Sequence, residues 1–204
     1  METLKVGFID DEDTSYQDYA KRLKRRDIDL LLYEGTSDIN TIVDWIINES
    51  ILCVLIDYDL SEKFEYDGTD LVFEINQILP NFPCIMITNY PEESKNEELV
   101  PQRLIWDREI MNEDLSKIVD PIKNEIAVYL KRKNALYEQY GALAAKRIEA
   151  ELTIDEEETF LKLHNVFSKY GETDDVPPQL LTTDTNKRLD SIIHDLSQLL
   201  DKKD

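Results

Sequence analysis

The run KVGFIDDEDTSY, Lys5–Tyr16, decides how the rest of the chain is read. Val6 to Ile9 form a short run with the length and content of a buried strand. It stops abruptly at Asp10, Asp11, Glu12 and Asp13. Neighbouring like charges repel, so a chain selected for stability alone would spread them. Their packing at a strand end predicts a site that uses negative charge.

Working outward, residues 1–112 alternate such apolar runs with amphipathic stretches. LKVGFID is a first strand, and TSYQDYAKRLKRR follows with Tyr16, Tyr19, Ala20 and Leu23 on one helical face. DLLLYE is a second strand, and INTIVDWIINES repeats the helical period. ILCVLID is apolar throughout, as a strand covered on both faces should be. TDLVFEINQIL is a helix with Pro80 just past its end, PCIMITNY a fourth strand and RLIW a short fifth. Strands alternating with helices predict an α/β fold with a parallel sheet, and right-handed crossovers wind it on both faces.

Composition narrows the chemistry. At 204 residues and 42% hydrophobic, the chain can bury a core. Its 44 acids against 23 bases give a net charge of −21. The excess is uneven, −15 over residues 1–112 and −6 over residues 113–204. Such a surface repels phosphate backbones, whose binding rests on counterion release by Lys and Arg, so no DNA partner is expected. The exception, KRLKRR at Lys21–Arg26, reads as a solvated helix end whose charges suit the helix dipole. Cys53 and Cys84 lie in apolar strand-like runs at a spacing that suits no zinc site, and are expected to be buried and reduced. No signal-like leader heads the sequence, and no run approaches the roughly 20 apolar residues that span a bilayer. A cytoplasmic location without membrane contact is therefore expected. His164 and His194 fall in helical segments with no obvious partner, and five glycines leave little material for a Gly-rich phosphate loop.

After residue 112 the texture becomes helical. Leu115, Ile122, Tyr129, Leu136 and Leu143 repeat every seven residues, with Val119, Ile126 and Tyr140 filling the seam and Lys133 interrupting it. This predicts a long helix over about 113–150, with Pro121 near its start. A second helix, about 154–170, carries Phe160, Leu163, Phe167 and Tyr170, opens on Thr153 and Glu156 at capping-box spacing and ends at Gly171. A linker over 171–184 leads to a last amphipathic helix, about 185–201.

In an open parallel sheet, ligands bind outside the carboxyl ends of the strands. Asp10 and Asp11 end the first strand, Asp57 the third and Thr88 the fourth, while Arg108 follows the fifth. One sheet edge thus collects three carboxylates, a hydroxyl and a cation. Hard cations such as Mg²⁺ hold clustered carboxylates together. Beside such a metal a carboxylate can attack a phosphoryl group.

With these residues in this order, residues 3–125 resemble the response-regulator receiver domain of two-component signalling. The resemblance implies a flavodoxin-like, doubly wound, five-stranded parallel sheet of order 2-1-3-4-5, here followed by an all-α C-terminal region. It divides the chain into a receiver over 1–125 and a helical output or interaction region over 126–204. It implies Asp57 as phosphoacceptor and Asp10, Asp11 and Asp57 as ligands of Mg²⁺ or Mn²⁺, with Asp59 lending its backbone carbonyl. Thr88 and Arg108 would bind the phosphoryl group, and Gly68 in YDGTD matches the turn into the third helix. Expected partners are a histidine kinase or phosphotransfer protein, a protein effector on the C-terminal helices, and a second copy of this chain. No catalysis is expected beyond self-phosphorylation and dephosphorylation.

The chain also departs from that family. Arg108 replaces the usual Lys, Ile105 occupies the aromatic switch position, and the loop from Asp57 to Gly68 is about three residues longer. A degenerate receiver acting as a constitutive adaptor therefore stands as the alternative. A third reading takes LIDYDLS and MITN as the Asp-x-Asp and Thr motifs of haloacid-dehalogenase-like phosphatases, which leaves Asp10 and Asp11 unexplained.

Overall fold

The computed structural model describes residues 3–11, 15–92 and 99–173. The chain divides into two compact units, Met1–Arg132 and Lys133–Asp204. The first contains β1 (Leu4–Ile9), α1 (Tyr16–Lys24), β2 (Ile28–Leu32), α2 (Ile39–Asn48), β3 (Cys53–Ile56), α3 (Gly68–Ile78), β4 (Cys84–Thr88), β5 (Ile105–Asp107) and the short α4 (Ile110–Glu113). Helix α5 (Ser116–Glu149) runs from the first unit into the second, which adds α6 (Ile154–Lys169).

The five strands are parallel, in the order β2-β1-β3-β4-β5. This is the doubly wound α/β sheet that the alternating pattern predicted. Every residue of β3 and β4 is buried, which is why both read as continuous apolar runs. Helix starts follow local chemistry. The Asp38 carboxylate accepts the Thr41 N–H at 2.9 Å to open α2, and Asp67 accepts the N–H groups of Thr69 and Asp70 to open α3. Asp27 and Asn81 take positive φ of 63° and 64° in the turns after α1 and α3, a conformation these side chains tolerate.

On one face of the sheet Val6, Phe8, Leu30, Leu55, Ile85 and Ile87 pack with Tyr19 and Leu23 of α1 and with Ile118, Ile122 and Ile126 of α5. Gly7 points to the opposite face, against α2. A Cβ there would meet the Trp45 ring at 2.8 Å, so only glycine lets the helix approach this closely.

The long helix differs from its expected form in two respects. It begins at Ser116, after a separate α4, because the Asp114 carboxylate accepts the Ser116 N–H at 3.0 Å and its hydroxyl at 2.6 Å. That side chain is a local stop and restart that the heptad pattern does not encode. The seam is also divided. Leu115, Ile122 and Tyr129 are buried in the first unit, Tyr129 edge-on to Phe82 at 5.7 Å, while Leu136 is 39% exposed. The heptad spacing therefore marks the face that covers a sheet, not a free coiled-coil face.

In the second unit α6 runs back antiparallel to residues 133–149 of α5. Tyr140 stacks on Phe160 at 5.1 Å and Tyr137 meets Phe167 edge-on at 5.3 Å. The Thr153–Glu156 capping box is present. Lys133 does not merely interrupt a seam: it pairs with the Glu172 carboxylate and lies over the Tyr170 ring at 4.7 Å. His164, with no partner evident in sequence, is buried with Nδ1 2.9 Å from the Tyr140 hydroxyl. Most of the 171–184 linker, and the whole 185–201 helix with His194, lie outside the described residues.

Candidate functional site

Parallel pairing in register fixes the site, because it brings the carboxyl ends of β1, β3, β4 and β5 to one edge. Ile9 pairs with Ile56, so Asp10 and Asp57 leave the sheet side by side, and the Asp57 N–H donates to the Ile9 carbonyl at 3.0 Å. Asp10, Asp11 and Asp57 each place a carboxylate oxygen within 4.8 Å of the others, and all three are buried.

Charge balance comes from Arg108. One nitrogen, Nη2, lies 2.9 Å from Asp10 Oδ2 and 2.9 Å from Asp57 Oδ2. The guanidinium is 12% exposed and the Asp10 side chain 1% exposed, so water screens these contacts little. Burial, opposed by Arg108 and reinforced by Asp10, leaves the Asp57 carboxyl pushed up to about 6. For Arg108, burial works against the charge, but the facing carboxylates of Asp10 and Asp57 more than offset it.

The remaining residues frame this cluster. Thr88 is fully buried, its Oγ1 accepts the Tyr90 N–H at 3.0 Å, and its carbonyl accepts the Arg108 N–H at 2.9 Å. Strand alternation puts Trp106 on the face packed by α1 and α5 and leaves buried Ile105 on the other. Gly68 opens α3 directly under Asp57, where a Cβ would come within 2.0 Å of the Asp57 carbonyl oxygen. Its N–H donates to the Tyr58 carbonyl at 2.8 Å.

The loop after Asp57 adds a contact that sequence reading missed. It folds back so that the Glu62 N–H donates to Asp11 Oδ2 at 2.9 Å. Backbone groups carry no residue signature, and the extra loop length was the one sign of it. The Asp59 carboxylate turns away to accept the Ser61 N–H at 3.2 Å and hydroxyl at 2.7 Å.

As a donor set, three clustered carboxylates are hard oxygen ligands, and no hydrogen bond among the described residues reaches buried Asp57 Oδ1. The cluster therefore fits a hard divalent cation.

Comparison with known proteins points the same way at the level of fold. The chain matches no protein-family model and no curated protein. Among solved structures it is similar to the signal receiver domain of an HD domain-containing protein from Pseudomonas fluorescens Pf-5. The TM-score is 0.52 at 12% identity, covering 66% of this chain and 94% of that one. It is also similar to a CheY-like response regulator receiver domain protein from Methanospirillum hungatei JF-1, with TM-score 0.46 at 16% identity over 61% of this chain and 97% of that one. The fold is that of response-regulator receiver domains.

Proposed function

We propose that this protein is a response-regulator-like signalling protein whose receiver accepts a phosphoryl group on Asp57. The observation that carries this reading is one cluster: three buried carboxylates within 4.8 Å, with Arg108 held 2.9 Å from two of them. Burying three carboxylates with one cation that contacts only two of them carries a desolvation cost, which a bound metal and phosphoryl group would offset.

In this reading a carboxylate oxygen of Asp57 attacks phosphorus in a small phosphodonor or a phosphohistidine. The new O–P bond forms as the donor's bond to phosphorus breaks, and the leaving group keeps the electron pair. The Asp57 carboxyl lies at about 6, so it is mostly ionised at neutral pH and competent to attack. Asp10, Asp11 and Asp57, with the Asp59 carbonyl, would hold Mg²⁺ or Mn²⁺, which when bound supplies positive charge against the incoming phosphoryl oxygens. The Glu62 N–H holds the Asp11 carboxylate in place, and Gly68 lets α3 start beside Asp57. Arg108 would move from Asp57 to the bound phosphoryl group, and the Thr88 hydroxyl would bind one of its oxygens. A kinase or phosphotransfer protein would supply the group. The helices from residue 133 onward would engage a protein partner, since residues 113–204 are net acidic and lack the phosphate-binding charge that DNA recognition needs.

Two other readings make different demands on the same residues. A degenerate receiver keeps the fold as a constitutive adaptor. The phosphatase reading needs the Asp59 carboxylate as a general acid, and that group is exposed and committed to Ser61.

Adding beryllofluoride with Mg²⁺ to isotopically labelled protein tests the proposal. Amide shifts centred on residues 9–11, 57–60 and 88–90 are expected, and Arg108→Lys should keep them. A spectrum left unchanged by millimolar Mg²⁺ and beryllofluoride favours the adaptor. Turnover of a small phosphate ester that depends on Asp59 favours the phosphatase.

A further inference from the structure

The basic cluster Lys21–Arg26 has one member that is not part of a solvated helix end. Lys21, Lys24, Arg25 and Arg26 are exposed, but the Arg22 side chain is only 26% exposed and crosses to α4. Its Nη1 donates to the Met111 carbonyl, and its Nη2 to the Asn112 carbonyl at 3.2 Å. We infer that Arg22 is a positioning residue for Arg108: by gripping the end of α4 it fixes residues 108–113, and so sets the Arg108 guanidinium on Asp10 and Asp57. The use of that placement rests on the phosphoryl-acceptor reading, but the placement itself is a property of the ligand-free protein.

Helix α4 needs a hold from outside. It has four residues, too few to be stable alone. The last carbonyls of a helix have no partner within it, and Asp114 leaves the helical conformation at φ −140°. The Met111 side chain is fully buried, but an unbranched thioether adapts to its surroundings and does not set where the turn lies. A planar guanidinium does, because its fork holds two successive carbonyls at once. Asp18 competes little for Arg22, at 3.6 Å and with a 68% exposed side chain.

The hold has a firm base. Tyr19 and Leu23, on either side of Arg22 in α1, are buried, and the Tyr19 ring meets Phe8 of β1 edge-on at 6.2 Å. The Tyr16 hydroxyl ties the start of α1 to the Leu30 carbonyl at 3.0 Å.

Arg108 hangs between that hold and the sheet. Its N–H donates to the Thr88 carbonyl at 2.9 Å, and its carbonyl accepts the Met111 N–H at 3.0 Å. The Glu109 N–H closes the turn onto Asp107 Oδ1 at 2.9 Å. A displaced α4 therefore carries the Arg108 backbone with it. The Arg108 Nη2 meets two carboxylates at 2.9 Å each, and such a constellation tolerates shifts of only about 0.5 Å.

The test follows the Arg108 Nε–Hε signal and the backbone amides of the full-length protein, without metal or phosphodonor. Arg22→Gln removes the charge and the fork. It should shift the Arg108 signal and the amides of Asp10 and Asp57, together with those of Met111 and Asn112. Arg22→Lys keeps the charge and one donor, should give smaller shifts in the same directions, and serves alone where Arg22→Gln does not fold. Ile46→Ala opens the core under α2 instead, and should lower stability while leaving the Arg108 signal in place. In Arg108→Ala, adding Arg22→Gln should still move Met111 and Asn112 but no longer Asp10 and Asp57. Arg22 variants that fold with the Arg108, Asp10 and Asp57 signals unmoved overturn the inference, as does an effect on Asp10 and Asp57 that persists in full in Arg108→Ala. Either result would leave Arg22 as a stabiliser of α4 alone.

Discussion

Arg108 is the residue on which the site's charge balance turns. Its Nη2 contacts the carboxylates of Asp10 and Asp57 together, both at 2.9 Å. Removing one member of a buried ion pair leaves charge uncompensated and costs on the order of 3 kcal/mol. Arg108→Ala should therefore lower thermal stability in metal-free buffer, and millimolar Mg²⁺ should restore more stability to the variant than it adds to the wild type. Equal Mg²⁺ effects on both proteins would mean that cation and guanidinium do not serve the same carboxylates. Gly68 is the second position where one atom decides. A Cβ within 2.0 Å of the Asp57 carbonyl oxygen must push α3 away, so Gly68→Ala should destabilise by about 1–3 kcal/mol and displace the Asp57 amide signal. Chemical denaturation and an amide spectrum check both. Asp10, Asp11, Asp57, Thr88 and Arg108 were all legible in sequence, because strand ends announce where side chains converge. The Glu62 contact to Asp11 was not, since it is made by a backbone N–H.

At the scale of elements, strands and crossovers were legible because β3 and β4 are buried on both faces and the helices between them keep one apolar stripe. The start of α5 was not, because one short-range side chain, Asp114, overrides a seven-residue pattern. Nor was the fate of the seam: a heptad spacing is equally served by a partner helix or by a sheet. The α5–α6 hairpin makes its own prediction. Glu156 is held at about 2 by Lys146 and by the capping-box N–H of Thr153. A carboxylate depressed in the folded state contributes stability that is present above its ordinary value near 4.5 and is lost as pH falls toward 2. Helicity of the hairpin should fall over that window, and Glu156→Gln should flatten the dependence. A Glu156→Gln protein with the same acid profile would show that this cap does not govern the hairpin. At neutral pH, Phe167→Ala, which removes the partner of Tyr137, should cost about 3–5 kcal/mol within the second unit.

At the scale of the whole molecule, the chain joins a receiver-fold unit to a helical unit, with α5 contributing to both. A chain ending at Arg132 retains every element of the sheet and all of the acid cluster. It should keep its cooperative unfolding and its Mg²⁺ response, which circular dichroism during heating can establish. Loss of folding in that shortened chain would show that the helical unit is needed to complete the receiver. The fold class was recoverable from alternation and strand-end acids alone. What the helical stripe of the second unit packs against was not, because such a stripe specifies burial without specifying what it is buried against. The central claim concerns Asp57, and its most direct test is the intact mass of the full-length protein after incubation with acetyl phosphate and Mg²⁺. An acceptor at Asp57 gives a gain of one phosphoryl mass that disappears in Asp57→Asn and when Mg²⁺ is chelated. An unchanged mass, or the same gain in Asp57→Asn, would contradict it.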